Sequence, residues 1–284
     1  MKSIILISVY FGEFPYYFPL FVESANHNKS VKWIIFTDKG WGKSFGEQEN
    51  VHIIEFDRYK FEKLASTKLR QRIKIKTSYK LCDFKPSYGK IFEDYTAGYD
   101  FWGHTDIDVV WGDLRKFLTD DVLDGHDLIT ATGNSGCNRY VSGVFTIYKN
   151  TKKINNIYRS FHERYHELIL SDKYETLDEV SIDFVLKNNP DLKVFMGFAC
   201  GGRHLPLIRY GKKRTPAYWE NGKLIVESYL NDYAGQKSFC GFGAESLLFH
   251  VREKTLKHYV NLETKRIESV PDEAFYSLKS KHES

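Results

Sequence analysis

The sequence has no paired-cysteine spacing. Its four cysteines, Cys82, Cys137, Cys200 and Cys240, stand far apart and form no C-x-x-C. That spacing argues against a zinc site, and a disulfide framework is not expected in a chain of 284 residues. Reduced thiols in a cytoplasm are the expectation. No apolar run reaches the ~18–20 residues of a membrane-spanning helix. The opening MKSIILISVYFG has one Lys and a short apolar run but no small-residue cleavage site behind it, so it reads as a buried first strand. Excess charge of one sign is also scarce. Lys+Arg number 41 against 37 Asp+Glu, a net charge of +4, too little to argue for a nucleic-acid partner. No internal repeat, low-complexity segment or convincing linker is present.

Aromatic residues, by contrast, are plentiful at 16% of the chain, with 19 Tyr and 21 Phe. Such side chains suit core packing and also stack on ring-shaped ligands. Residues 3–10 form an Ile- and Val-rich run, as for a strand covered on both faces. The run ends at Phe11-Gly12, where a ligand can approach the backbone. Residues 18–26 read as a short helix, 31–37 as a second strand closed by Asp38, and 51–56 as a third. This β-α-β-β opening predicts an α/β domain with a mixed, mainly parallel sheet flanked by helices. Ligands in such sheets sit at the carboxyl ends of strands, which puts residues 10–12 and 37–38 on one rim.

Further along, residues 61–81 predict a charged helix broken at Asp83-Phe84-Lys85-Pro86, and 88–95 predict another. Strands are predicted over 127–132, 141–148 and 245–252, and helices over 114–118, 120–123, 154–170 and 179–187. Residues 133–140 read as a polar loop. Asn221-Gly222 signals a hairpin over 219–226. One domain is expected over 1–255, with 256–284 as an extension packed on it or trailing from it.

The rest is organised around residues 99–115, YDFWGHTDIDVVWGDLR, read as a central strand. Residues two apart in a strand share a face, so Asp106 and Asp108 are expected to project together while Ile107 faces the core. Neighbouring carboxylates repel unless a cation or proton lies between them, and a divalent metal with oxygen ligands resolves this. The plain alternative is that one Asp ends a strand and the other caps a turn. The Trp- and Val-rich setting, where uncompensated charge is costly, favours the metal. Asp178-Glu179 opens the predicted helix 179–187, where an N-cap and dipole role competes with a chemical one. Basic runs at 68–80 and 212–214 read as solvated faces, phosphate-binding edges or contacts to an anionic membrane.

In this order the features resemble glycosyltransferases of the GT-A fold. More closely, K-P-S-Y-G at 85–89, the string at 99–115 and S-G-V-F-T-I-Y-K-N at 142–150 are similar to a bacterial family found among surface-polysaccharide (O-antigen or capsule) biosynthesis proteins and regarded as glycosyltransferases. The resemblance spans roughly residues 1–255. It implies a metal-dependent hexosyltransferase with a nucleotide-sugar donor, UDP expected, and Mn²⁺ or Mg²⁺. The acceptor would be a saccharide or lipid-linked saccharide, met in the cytoplasm or at the inner face of the membrane, with no nucleic acid involved. By position, Asp106 and Asp108 would hold the metal, Asp108 more directly, with Asp106 serving ribose or bound through water as the alternative. His250 matches a third ligand, against a structural role for a lone strand histidine. Tyr10, Phe11, Gly12, Thr37 and Asp38 would contact the nucleotide. Lys85 would pair with phosphate or be an ordinary surface lysine. Asp178 or Glu179, Asp178 slightly ahead, would be the base of an inverting transfer; in a retaining enzyme the pair would only orient substrate. Tyr218 and Trp219 either stack on a sugar or pack in the core, and the loop 201–204 would lie near the donor phosphates.

Two other classes compete. A sugar nucleotidyltransferase or phosphohydrolase also handles nucleotides, but the former normally has a glycine- and basic-rich loop after the first strand, and Phe11-Gly12-Glu13-Phe14-Pro15 is not one. A non-catalytic saccharide-binding protein would tolerate loss of the four acidic residues, all of which are present.

Overall fold

The computed structural model describes residues 1–40, 48–130, 139–196, 217–226, 244–245, 248–251 and 258–269. In chain order the strands are β1 (Ile4–Tyr10), β2 (Val31–Thr37), β3 (Val51–Glu55), β4 (Phe101–Thr105), β5 (Val109–Trp111), β6 (Leu128–Thr130) and β7 (Phe145–Lys149). They continue with β8 (Val194–Met196), β9 (Ala217–Glu220), β10 (Lys223–Val226), β11 (Ala244–Glu245), β12 (Leu248–His250), β13 (His258–Asn261) and β14 (Arg266–Ser269). The chain folds into two compact units.

The first unit comprises Met1–Glu13, Lys29–Asp106 and Leu118–Gly197. It holds a seven-stranded sheet in the order β3-β2-β1-β4-β7-β6-β8. Only β7 runs against its neighbours, so the sheet is mixed and mainly parallel, as expected. Alternation along β1 sends Ile5 and Ile7 to a helix-covered core shared with Ile34, Phe36, Trp102 and Tyr148. Ile4 and Leu6 are buried on the opposite face. Trp102 stacks on Tyr148, centroids 4.3 Å apart at 10°. Gly89 makes room for that indole, because a Cβ there would lie 2.2 Å from the Trp102 ring. The glycine of K-P-S-Y-G is therefore a packing requirement.

The second unit comprises Phe14–Asn28, Ile107–Phe117 and Phe198–Ser284. A five-stranded antiparallel sheet runs β11-β10-β9-β14-β13, and β5 pairs with β12 in a two-stranded one. Asn221 (φ 49°) and Gly222 (φ 81°) make the expected hairpin turn, both residues in the left-handed region. The helix Phe18–His27 clamps β5 through side chains. Ser24 Oγ accepts from Trp111 N at 3.1 Å. Asn28 donates to Gly112 O at 2.9 Å and accepts from Leu114 N at 2.8 Å.

Several expected elements are cut shorter. The helix predicted over 61–81 is Arg58–Leu69, started by an Asp57 N-cap on Lys60 N and ended by Arg70 in the left-handed region at φ 57°. Asp83–Pro86 do not break a helix; they lie inside a 3-10 segment, Ser78–Ser87. Residues 88–95 divide into Tyr88–Ile91 and Glu93–Thr96, and 154–170 into a 3-10 turn Ile154–Ser160 and a helical turn Tyr165–Leu168. The polar segment after 254 contributes β13 and β14, a hairpin whose β14 pairs with β9. The calls on 133–138, 201–204, 212–214, Cys137, Cys200 and Cys240 lie outside the described residues.

Candidate active site

The 99–115 stretch is two strands with a bend between them. β4 ends at Thr105, residues 106–108 turn, and β5 begins at Val109. This corrects the picture of two carboxylates projecting side by side from one strand. Asp106, not Asp108, is the residue at the open end of β4. Ile107 is buried, as expected. Asp106 belongs to the first unit and Asp108 to the second.

In the first unit, Asp106 is part of a buried polar cluster. Lys85, 7% exposed, reaches it from the 3-10 segment. Its Nζ donates to Asp106 Oδ1 at 2.6 Å and to Gly143 O at 2.8 Å, and lies 3.4 Å from Asp178 Oδ2. Lys85 is thus neither a surface lysine nor an open phosphate clamp; it neutralises two carboxylates. Burial is the largest influence on its ammonium and acts to lower the pKa. Asp106, Cys82 and Asp178 together outweigh it and hold the pKa well above the ordinary lysine value.

The strand expected over 141–148 starts only at Phe145, because the preceding carbonyls are used by the site. Ser142 O takes His104 Nε2 at 3.0 Å and Thr146 Oγ1 at 2.9 Å. Gly143 O takes Lys85, and Val144 O takes Asp106 N at 3.0 Å. Thr130 Oγ1 in turn accepts from Ser142 N at 2.8 Å. Three successive carbonyls are therefore pinned to residues that flank or contact Asp106. Gly143 is required here: a Cβ would come within 2.4 Å of Asp178 Oδ2. Gly143→Ala is expected to displace Asp178 and cost about 1–3 kcal/mol of stability, as other overpacked cores do, measured by denaturant unfolding.

His104 is fully buried, and its pKa is lowered to about 3, first by burial and then by the Lys85 charge. The sign follows directly: the unfolded chain takes up a proton near pH 6.5 that the native chain refuses. Stability contributed by neutral His104 is present above about pH 6.5 and is lost as pH falls toward 3, by up to about 1.4 kcal/mol per pH unit. Unfolding midpoints measured against pH in chelator should show this acid slope, and His104→Asn should remove one proton from it.

Asp178 does not cap a helix. The helix begins at Ile182, because Thr176 is left-handed at φ 56° and Ser181 bridges to Tyr140. Asp178 is 2% exposed and accepts from Tyr174 OH at 2.9 Å. Glu179 beside it is exposed. A second buried pair carries this turn. Asp83 accepts from Glu175 N and Leu177 N, both at 2.9 Å, and from Lys80 Nζ at 2.8 Å. Lys80 and Asp83 are wholly buried, and Lys80 also holds Leu168 O at 2.8 Å.

The expected rim forms at the ends of β1 and β2. Tyr10 pairs with Thr37, and Gly12 N donates to Asp38 Oδ1 at 2.9 Å with Gly12 at φ 122°. Phe11 packs in the core and Thr37 is fully buried, its hydroxyl accepting from Lys39 N at 3.2 Å. Tyr10, Gly12 and Asp38 retain exposed surface. The basic run at 68–80 is largely paired within the unit: Lys68 with Glu93 and Asp94, Lys74 with Glu62, Lys76 with Asp172 and Lys80 with Asp83.

The model of a family of unknown function, DUF6625, matches residues 6–276. The chain belongs to this family. No curated protein matches it. Among solved structures, the galactosyltransferase LgtC in complex with donor and acceptor sugar analogs is 14% identical, with 69% of this chain and 73% of that chain covered and a TM-score of 0.40. The apo-form glycosyltransferase GlyE of Streptococcus pneumoniae TIGR4 is 13% identical over 69% of this chain and 44% of that one, TM-score 0.36. Mouse xyloside xylosyltransferase 1 is 10% identical over 70% and 85%, TM-score 0.38.

In this DUF6625 protein, residues far apart in sequence converge within the second unit. β5 and β12 set His250 opposite Val109, and Val251 N donates to Asp108 O at 2.7 Å. Asp108 and His250 therefore occupy neighbouring rungs of one antiparallel pair, where regular alternation sends successive side chains to opposite faces; the His250 side chain lies outside the described residues. A carboxylate such as that of Asp108 is a donor suited to Mn²⁺ or Mg²⁺. Among the described residues, no group of three or more His, Cys, Asp or Glu side chains could hold a metal. Trp219 is a packing residue: it is buried, with Lys265 Nζ 4.7 Å above its ring and His27 against it.

Asp83, Lys80, Tyr174 and His104 were not legible as site residues in the sequence. The only local signal for the first two is their i, i+3 spacing.

Proposed function

We propose that this chain is a nucleotide-sugar glycosyltransferase. The observation that carries the reading is the strand order. β1 leads outward to β2 and β3, and the chain then returns to place β4 on the other side of β1. Ligands of open α/β sheets bind at that switch point, outside the carboxyl ends of the strands. Tyr10–Gly12 end one strand there, and Asp106 ends the other.

In this reading Tyr10, Gly12 and Asp38 contact the nucleotide, with UDP the expected carrier. Asp106, paired with Lys85, serves the donor on the ribose side. Asp108 would hold Mn²⁺ or Mg²⁺, with His250 the candidate for a further ligand; a divalent cation there would supply charge neutralisation for a departing nucleoside diphosphate. Glu179 is the better base for an inverting transfer. It is exposed, whereas Asp178 is enclosed by Lys85 and the Tyr174 hydroxyl. Asp178 then orients rather than deprotonates. The acceptor is a saccharide, lipid-linked or free, and the similarity in the 85–150 strings supports a place in bacterial surface-polysaccharide assembly. No helix among the described residues is long and apolar enough to cross a membrane.

Glu179→Gln tests the assignment. With an active donor–acceptor pair, kcat should fall by roughly 10²–10⁴ while KM for the donor holds, the usual loss for a general base. If Asp178→Asn alone causes that loss and Glu179→Gln does not, the roles are reversed.

A further inference from the structure

We infer that Tyr79, packed on Tyr174, forms a subsite for a pyranose ring. The inference rests on the glycosyltransferase reading only for the identity of the molecule that brings the sugar.

Tyr79 and Lys80 are neighbours in the 3-10 segment, yet they point to opposite environments. Lys80 is wholly buried, while Tyr79 is 58% exposed. The Tyr79 ring is nevertheless packed on one side: it meets Tyr174 edge to face, centroids 4.7 Å apart at 70°. Tyr174 is itself tied to Asp178 by the 2.9 Å hydrogen bond from its hydroxyl. Burial, and then the Asp178 charge, push the Tyr174 pKa far up, so the hydroxyl remains a donor. The Tyr79 hydroxyl is likewise held protonated, first by burial and then by Cys82, Asp178 and Glu179.

A half-open aromatic face, packed on a tyrosine bound to Asp178 and so one residue in sequence from the exposed Glu179, suits a pyranose. Its C–H face stacks on the ring, and its hydroxyls donate to the acid. The bracing distinguishes Tyr79 from an ordinary exposed tyrosine, since singly exposed aromatics are common. It also reduces the ordering cost of binding, because the ring is already held. No bond is made or broken here; the subsite orients a sugar next to the proposed base.

The test is an NMR titration of the whole chain with Mn²⁺ present. Wild type, Tyr79→Ala, Tyr79→Phe and, as a control, Tyr59→Ala are compared, since Tyr59 is also exposed. The probes are UDP, a panel of UDP-hexoses, and free methyl hexopyranosides and short oligosaccharides. Tyr79→Ala should weaken sugar-bearing ligands by about tenfold or more, the scale expected for losing an aromatic stack. UDP binding should be unchanged, and Tyr79→Phe and Tyr59→Ala should behave as wild type. Loss confined to UDP-hexoses assigns the ring to the donor sugar; loss with free saccharides assigns it to the acceptor. If free saccharides bind through Tyr79 while neither UDP nor UDP-hexoses bind, the subsite stands and the glycosyltransferase reading falls. If Tyr79→Ala binds every sugar as wild type does, or loses UDP and sugars equally, or no sugar-bearing probe binds the wild type, the subsite is overturned.

Discussion

Lys85→Met should destabilise the protein by about 3–5 kcal/mol, the range found when one partner of a buried ion pair is removed. The reason lies in the geometry around the ammonium. It sits 2.6 Å from Asp106 Oδ1 and 3.4 Å from Asp178 Oδ2, with its third contact on the Gly143 carbonyl. Without it, two carboxylates at the end of β4 and the 178 turn lose their shared cation. The folded-state pKa of Lys85 is raised, so its stabilising contribution is present below the ordinary lysine value and is lost only as pH climbs through the higher folded value. Lys85→Arg should not rescue, because a planar fork does not fit a site shaped for a point charge. Combining Lys85→Met with Asp106→Asn and Asp178→Asn should recover part of the stability, since neutral groups need no cation. Activity should stay lost in all of them. Chemical denaturation of the three variants, with turnover measured in parallel, checks both halves.

Asp108→Ala should lower turnover by roughly 10²–10³ or more, the usual scale for losing one electrostatic stabiliser of a transition state. It should also abolish any Mn²⁺-dependent rise in Tm, because a ligand stabilises only the state that binds it. The fold should tolerate the change: Asp108 lies on the bend before β5, and the strand is held by backbone pairing to β12 and by Ser24 and Asn28. His250→Ala tests the further ligand: a lost Mn²⁺ response adds His250 to the set, and a full one removes it. Thermal shift with a Mn²⁺ titration separates this from a general loss of stability. A full Mn²⁺ response in Asp108→Ala would remove Asp108 from the metal-binding set.

The elements most legible in the sequence were those set by hydrophobic period. β1 and β2 lie where the Ile- and Val-rich runs placed them, and Asn221-Gly222 turns its hairpin. That Gly12 and Asp38 share one rim followed from the strand ends; the hydrogen bond between them did not. What misled was chemistry that overrides local propensity. Residues 142–144 carry strand-forming character, but their carbonyls are committed to His104, Lys85 and Asp106. Asp178 looks like an N-cap, but its carboxylate turns inward to Lys85 and Tyr174. The β13–β14 hairpin escaped notice because its residues are polar and lack clean alternation. Buried pairs such as Lys80–Asp83 are invisible in sequence: a charge three residues from its partner reads as a solvated face until tertiary structure encloses it.

The central claim is that this chain handles a nucleotide sugar. The most direct measurement is product formation from a panel of UDP-hexoses with a saccharide acceptor mixture and Mn²⁺, following UDP release and new glycosidic anomeric signals by NMR. The account predicts UDP release with at least one donor, dependent on the divalent cation and lost in Asp108→Ala and Lys85→Met. UDP release that continues undiminished in chelator and in Asp108→Ala, or a chain that neither binds nor turns over any nucleotide sugar, would contradict it.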